Sequence, residues 1–219
     1  MPAYKAILFD LDGVIIDSMP AMRDAFKTAY REVVDATPND EALEPLFQRY
    51  CQYLGYAFRE IMDELGLPHS MYEPFVRHSA EFKDRVRIDD GIIQVLQDLH
   101  HDGIKVTVAT GKDGYRARDL LDMLDLSQYV DIVTGSDEVA HPKPAPDMLI
   151  FQMNSLGVMP EETMMVGDSH ADIQAGKSAG VTTVGVLWGY GTRDDLASAD
   201  FIVESPAQLL ELIKARTRA

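Results

Sequence analysis

Two aspartates near the N-terminus, Asp10 and Asp12, have the residue type and the spacing for metal-assisted chemistry. They follow an apolar run, residues 6–9, which predicts a buried parallel strand. Side chains alternate along an extended strand, so acids at positions i and i+2 face the same way and crowd their charges. A cation between them, or a proton on one of them, would relieve this repulsion, and we expect a metal site here. Gly13 comes next and allows a sharp turn out of the strand.

Three later segments also place polar groups directly after apolar stretches. Thr110 and Gly111 follow one predicted strand, where a hydroxyl and backbone N–H groups can bind a phosphate oxygen, although such residues are also common in plain turns. Lys143 lies between prolines, and this stiff segment can aim its ammonium group at one point. Asp168 ends another strand, and Asp172 lies in the first turn of the next helix, where it could also act as a cap.

A parallel sheet with helices on both faces would bring these four segments together. From residue 88 onward, apolar strands alternate with amphipathic helices, and this alternation predicts an α/β fold of that kind. Active sites of such folds lie at the carboxyl ends of the strands, where polar groups of all four segments fall. The predicted strands are residues 104–109, 131–134, 164–166 and 182–186, and the helices among them are 115–124, 146–156, 171–179 and 207–214.

Residues 18–87 contain no convincing strand, and their pattern predicts a helical insert. Ser18 can cap its first helix. The apolar face of that helix is formed by Met22, Ala25, Phe26 and Tyr30. We therefore predict an α/β core, residues 1–17 and 88–219, with a helical domain, residues 18–87, inserted after the first strand.

The four segments, in this order, resemble the motifs of the haloacid dehalogenase-like phosphohydrolases. The run Asp10-Leu11-Asp12-Gly13-Val14 resembles the first motif of that family, and the segments around Thr110, Lys143 and Asp168 resemble the other three. The resemblance implies a Rossmann-like core. Because the insert follows the first strand, it also implies the subclass that carries an α-helical cap domain.

The resemblance implies a catalytic role for each motif. Asp10 would attack phosphorus and form an aspartyl-phosphate. Asp12 would give a proton to the leaving oxygen and later take one from the hydrolytic water. Thr110, Gly111 and Lys143 would hold the phosphoryl group, and Lys143 would also neutralise the attacking aspartate.

Magnesium is the cofactor that the resemblance implies. Its ligands would be Asp10, Asp168 and the backbone carbonyl of Asp12, with Asp172 in an outer position or beside Lys143. Dehalogenases of the family need neither a second acid nor a metal, so Asp12 and Asp168 together favour phosphoryl chemistry. We predict a phosphatase, while a β-phosphoglucomutase-like phosphomutase and a non-catalytic regulatory member of the fold remain alternatives.

Substrate specificity should lie in the helical insert, which would close over the site. Arg49, Tyr56 and Arg59 are the candidates, with surface arginines and a core tyrosine as the alternative interpretation. Lys112 and Arg116 add positive charge near Thr110, or lie on the surface of a helix. A small sugar or sugar-like phosphate, used in secondary metabolism, is implied by a closer resemblance. Segments 30–34, 66–77, 109–118, 135–139 and 187–191 carry this closer resemblance. They are similar to the phosphatases found with 3-amino-5-hydroxybenzoate synthesis and, more distantly, to phosphoglycolate phosphatases.

The composition of the 219 residues is that of a globular protein with a formal net charge of −16. This charge argues against binding to nucleic acid or to an anionic membrane, so an anionic substrate must be drawn by a local basic pocket. The single cysteine, Cys51, excludes an intramolecular disulfide. The sequence also lacks the pattern of a signal peptide or a membrane span, and we expect a cytoplasmic protein, monomer or homodimer.

Overall fold

The computed structural model describes residues 3–217 and forms a six-stranded parallel sheet in the order β3-β2-β1-β4-β5-β6. The predicted α/β fold class is confirmed. Within residues 3–217, no helix is both long enough and apolar enough to cross a bilayer. The strands are β1 Ala6–Phe9, β2 Lys105–Ala109, β3 Ile132–Thr134, β4 Thr163–Gly167, β5 Thr182–Val186 and β6 Phe201–Val203. The helices are α1 Met19–Val33, α2 Asp40–Cys51, α3 Phe58–Leu65, α4 Tyr72–Glu81, α5 Asp90–His101, α6 Gly114–Met123, α7 Asp147–Leu156, α8 His170–Ala179 and α9 Pro206–Thr217.

The four strands predicted after residue 88 agree with β2 to β5 to within one residue at each end. Strand β6 was not predicted. It has three residues, and Phe201 at its start is exposed, so it lacks the buried apolar run that marks the other strands. Its place at the edge of the sheet explains this pattern, because an edge strand needs less apolar surface than a central one.

Strand β1 lies at the centre of the sheet, and all four of its residues are buried. Phe9, its last residue, is paired with Val108 of β2 and with Val166 of β4. This register brings Asp10 alongside the ends of both neighbours. The carboxyl ends of β1, β2 and β4 therefore meet at one edge of the sheet, as the sequence predicts.

Helices α1 to α4 all lie between β1 and β2 in the chain, and they share an apolar cluster of their own. Its fully buried members include Phe26, Phe47 and Met62. The chain leaves the sheet and returns to it side by side, because the backbones of Asp17 and Arg87 exchange two hydrogen bonds of 2.8 and 3.0 Å. These features agree with an inserted helical domain, whose boundaries stay a prediction.

Ser18 occupies the N-cap position of α1, but its side chain makes no cap hydrogen bond. The predicted role as a cap is wrong, because the Ser18 hydroxyl accepts no N–H of the helix and instead donates to the carboxylate of Asp12, a charged acceptor. The apolar face predicted for this helix is present: Met22, Ala25 and Phe26 are buried, and Tyr30 is half-buried against the same apolar cluster.

Candidate active site

Lys143 lies at the centre of a buried cluster at the carboxyl edge of the sheet. Its side chain is fully buried, and its Nζ lies 2.8 Å from Oδ1 of Asp10 and 2.6 Å from Oδ1 of Asp172. Asp10 follows β1, and Asp172 lies in the first turn of α8. A buried ammonium needs such partners, because an unpaired charge in the interior is strongly unfavourable.

The cluster contains more carboxylates than cations. Carboxylate oxygens of Asp10, Asp168 and Asp172 lie within 4.8 Å of one another, with Lys143 as the ammonium group among them. Burial raises the pKa of Asp10 to about 7, against the pull of Lys143 and with a further rise from Asp172. Burial and the neighbouring Asp10 also raise the pKa of Asp168 well above its ordinary value.

A divalent cation fits this cluster. Burial by itself would lower the pKa of Lys143, but the carboxylates of Asp10 and Asp172 outweigh it and raise that pKa. One ammonium still leaves excess negative charge among three buried acids, which a cation would neutralise. The available donors are carboxylate oxygens, the ligands that Mg²⁺ prefers.

Asp172 satisfies both interpretations that the sequence allows. Its Oδ1 pairs with Lys143, and its Oδ2 accepts hydrogen bonds from the Ser169 N–H at 3.0 Å and from the Ser169 hydroxyl at 2.6 Å. The bond from the Ser169 N–H, together with one from the Asp172 N–H to the Ser169 hydroxyl oxygen at 3.3 Å, forms a capping box at the start of α8. With both oxygens engaged, Asp172 is placed to orient Lys143 rather than to serve as an open metal ligand.

The side chain of Asp12 points away from this cluster. Its Oδ1 accepts the Ser18 hydroxyl, and its Oδ2 lies 3.2 Å from Nζ of Lys112. Burial lowers the pKa of Lys112, and the adjacent Asp12 opposes that change. The carboxylates of Asp10 and Asp12 therefore have different partners, although both residues line the same pocket.

That pocket, of about 50 Å³, lies between the strand ends and the helical insert. Tyr56 lines it, whereas Arg49 and Arg59 are exposed and do not. Helix α2 buries Phe47 and Tyr50 and turns Arg49 to solvent, so the helical phase could have indicated this from the sequence. The lining residues are Asp10, Asp12, Met22, Tyr50, Leu54, Gly55, Tyr56, Phe58, Ile61, Phe75, Thr110, Gly111, Lys112 and Arg116.

Arg116, on the first turn of α6, contributes a cation to the pocket wall. Its guanidinium carbon lies 5.4 Å from the ring centroid of Phe75, a cation–π arrangement. Within the part of the chain that the structure describes, Arg116 forms no ion pair with a carboxylate. Lys112, by contrast, is paired with Asp12. The aromatic wall of Tyr50, Phe58 and Phe75 could not be recognised in the sequence, because aromatic residues at helical spacing are usually core residues.

Comparison with known proteins places the chain in a family. A family model described as haloacid dehalogenase-like hydrolase matches residues 7–186. The chain belongs to this family. Two relatives of this hydrolase support the assignment over most of their length. It is 32% identical to the "Probable phosphatase IndB" of Dickeya dadantii (89% of this chain, 86% of the relative) and 30% identical to the "Phosphoglycolate phosphatase" of Aquifex aeolicus (95% and 96%).

A solved structure, a putative β-phosphoglucomutase from Thermotoga maritima, matches this haloacid dehalogenase-like hydrolase with a TM-score of 0.75 and 26% identity. The alignment covers 96% of this chain and 99% of the other. Together with the relatives named as phosphatases, the family assignment identifies this haloacid dehalogenase-like hydrolase as an enzyme of the phosphatase type.

Proposed function

We propose that the protein is a Mg²⁺-dependent phosphatase that hydrolyses a small phosphate monoester through an aspartyl-phosphate. The observation that carries this proposal is the placement of the Asp10 carboxylate. It lies at the end of the central strand, is held by Lys143 at 2.8 Å, has Asp168 beside it and lines the pocket. A nucleophile, a positive charge and oxygen ligands for a metal thus lie within one buried site.

Phosphate esters resist nucleophilic attack because the phosphoryl oxygens repel an incoming anion. Mg²⁺ bound by Asp10, Asp168 and the backbone carbonyl of Asp12 would neutralise part of that charge. Lys143 supplies a second positive charge beside Asp10, and its hydrogen bonds to two carboxylates hold it in place. Thr110 is 1% exposed at the end of β2, where its hydroxyl can orient a phosphoryl oxygen.

The proposed reaction uses two acids that line the pocket, Asp10 and Asp12. The Asp10 carboxylate forms a bond to phosphorus as the bond to the leaving oxygen breaks, and that oxygen takes a proton from Asp12. A water molecule next attacks the phosphorus of the acyl phosphate and gives a proton to Asp12, so that Asp10 is released together with inorganic phosphate. Burial under the helical insert limits the access of other water molecules.

Arg116 lines the pocket, and in the proposed function it would face the leaving group. Among residues 3–217 this half-buried guanidinium has no carboxylate partner, which favours a substrate with a second acidic group, such as a carboxylate or a further phosphate. Phosphoglycolate, named for the Aquifex aeolicus relative, has such a carboxylate, and so do the phosphates of some sugar acids. The link to secondary metabolism and the cytoplasmic location stay predictions.

Phosphate release with Mg²⁺ and with EDTA tests the proposed function. The panel contains phosphoglycolate, sugar phosphates, nucleotides and β-glucose 1-phosphate. Metal-dependent release that is concentrated on one small phosphate would support it. Conversion of β-glucose 1-phosphate to the 6-phosphate without release would favour a phosphomutase, the activity named for the Thermotoga maritima structure. No turnover of any compound would contradict the proposal.

Arg116→Gln tests the second acidic group. The comparison is between phosphoglycolate and 2-hydroxyethyl phosphate, which differ in charge at one end. Loss of a charge-assisted contact should lower kcat/KM for phosphoglycolate by about 10- to 100-fold and leave the neutral ester nearly unchanged. Arg118→Gln is the matched control, because Arg118 lies on the same helix and pairs with Glu138 at the surface. Equal effects of Arg116→Gln on both esters would contradict the prediction.

A further inference from the structure

The hydroxyl of Tyr190 and the carboxylate of Asp17 together cap the start of α1, where the Met19 N–H also donates to Oδ1 of Asp17 at 3.1 Å. Its Oη accepts hydrogen bonds from the N–H groups of Ser18 at 2.8 Å and Met19 at 3.1 Å, and it donates to Oδ1 of Asp17 at 3.0 Å. The first N–H groups of a helix have no partner within the helix and must find one elsewhere. Tyr190 lies 171 to 173 positions further along the chain, so this cap comes from the connection after β5, two strands away from β1 in the sheet.

The backbone of Tyr190 contacts an acid of the buried cluster, Asp168. Its N–H donates to Oδ2 of Asp168 at 2.6 Å. A side chain at either neighbour, Gly189 or Gly191, would overlap Asp168, so only glycine allows the loop to approach this closely. A Cβ atom at Gly13 would lie 3.0 Å from the Tyr190 ring, which therefore also packs against the turn after Asp12.

We propose that Tyr190 is a positioning residue for Asp12. Its hydroxyl holds the backbone of Ser18, and the Ser18 hydroxyl in turn donates to Oδ1 of Asp12. The Tyr190 hydroxyl forms hydrogen bonds with residues 17–19 and none with the acids of the buried cluster, so it acts through Ser18. This inference rests on the proposed function, in which Asp12 transfers the proton of the leaving group.

A group that acts through a general acid has a kinetic signature that a purely structural residue lacks. An alkyl leaving group needs protonation as its bond to phosphorus breaks, whereas p-nitrophenolate leaves readily without it. Misplacement of Asp12 should therefore slow an alkyl phosphate much more than p-nitrophenyl phosphate. A general loosening of the fold would slow both substrates alike.

Tyr190→Phe removes this hydroxyl and keeps both the ring and the N–H that binds Asp168. We expect kcat/KM for 2-hydroxyethyl phosphate to fall by about 10-fold or more, since small displacements of catalytic groups have effects of that size. For p-nitrophenyl phosphate, kcat/KM should change by less than about 2-fold, because kcat/KM covers only the steps up to departure of the leaving group, where general acid catalysis contributes little for this ester. Tyr129→Phe is the control, since Tyr129 is half-buried on another face and accepts a single long hydrogen bond from Gln97.

Ser18→Ala provides an independent route to the same result. It leaves Tyr190 intact and should reproduce the dependence on the leaving group, and the double variant should be little worse than either single variant because both act on Asp12. Equal losses on the two esters, or no loss with Tyr190→Phe, would overturn this inference and leave the proposed function in place. If the wild type prefers phosphoglycolate or a sugar phosphate, that compound serves as the alkyl ester in this comparison. Wild-type protein that releases phosphate from no compound of the panel and from neither ester would remove the proposed function and the inference with it.

Discussion

At the scale of single residues, the site depends on how buried charges are compensated. Lys143 bridges Asp10 and Asp172, and the three groups are almost fully buried. Removal of one member of a buried ion pair leaves the other charge uncompensated, which is more damaging than the loss of a surface pair. A neutral side chain of the same shape at Asp10 is less disruptive, because Lys143 keeps its bond to Asp172 at 2.6 Å.

Asp10→Asn should abolish turnover while the fold persists. An amide is not a nucleophile toward phosphorus, and loss of a covalent nucleophile lowers kcat by at least about 10³-fold. Phosphate release measures the first effect, and circular dichroism with thermal unfolding measures the second. Turnover within 10-fold of the wild type, roughly the scale of a positioning effect, would show that Asp10 does not attack phosphorus.

At the scale of elements, the connection between α2 and α3 contacts the ends of two strands. Gly55 has a φ of +98°, and a Cβ atom there would overlap the hydroxyl of Ser169, which follows β4. A Cβ atom at Gly111, which follows β2, would lie 2.7 Å from the carbonyl oxygen of Tyr56. Gly111 packs against the backbone of this loop and Gly55 against the Ser169 side chain, so the loop can lie this close to the strand ends only if both positions are glycine.

Gly55→Ala should prevent the helical insert from packing against the ends of the strands. We expect kcat/KM to fall by about 10-fold or more, because the pocket would no longer be enclosed. Gly66→Ala is a close control: Gly66 also has a positive φ, of +67°, but nothing lies within 4 Å of a Cβ atom there. Both substitutions strain the backbone by about 1 kcal/mol or more. Equal kcat/KM in the two variants would show that contact with Ser169 is not needed for catalysis.

At the scale of the whole molecule, negative charge dominates both the surface and the buried site. The formal net charge is −16, and burial raises the pKa of Asp10 from 3.8 to about 7. A raised carboxyl pKa means that the folded state binds a proton more tightly than the unfolded state. The resulting loss of stability is small well below the ordinary pKa of 3.8, where the carboxyl is protonated in both states, and grows as the pH rises toward 7.

The metal-free protein should therefore lose stability between pH 5 and pH 8 more steeply than Asp10→Asn. Thermal unfolding in EDTA at several pH values measures this slope, and a comparison of slopes cancels the effect of the general surface charge. Mg²⁺ should raise the Tm of the wild type more at pH 8 than at pH 5, since it competes with protons for the same carboxylates. Parallel pH profiles for the two proteins would contradict a raised pKa at Asp10.

The sequence by itself determined the scaffold and the identity of the central acids. Strands β2 to β5 were located to within one residue at each end, and the apolar stripe of α1 was predicted with its orientation. These features follow from local periodicity, which depends on neighbours in the chain. Asp10, Lys143 and Asp168 were recognisable because each stands at a strand end or on a proline-stiffened segment, and parallel strands bring such ends together.

Only the tertiary structure decided how the side chains around these acids are used. Ser18 was predicted to cap α1 but binds Asp12, and the Tyr190 hydroxyl helps to cap the helix from more than 170 positions away. Arg49 was a candidate for the pocket and is exposed, whereas Arg116 lines it. The direction of such a side chain depends on the phase and docking of its helix and on competition among distant donors and acceptors. Local sequence does not encode these long-range choices, because each is settled by partners that only the folded chain brings within hydrogen-bond distance.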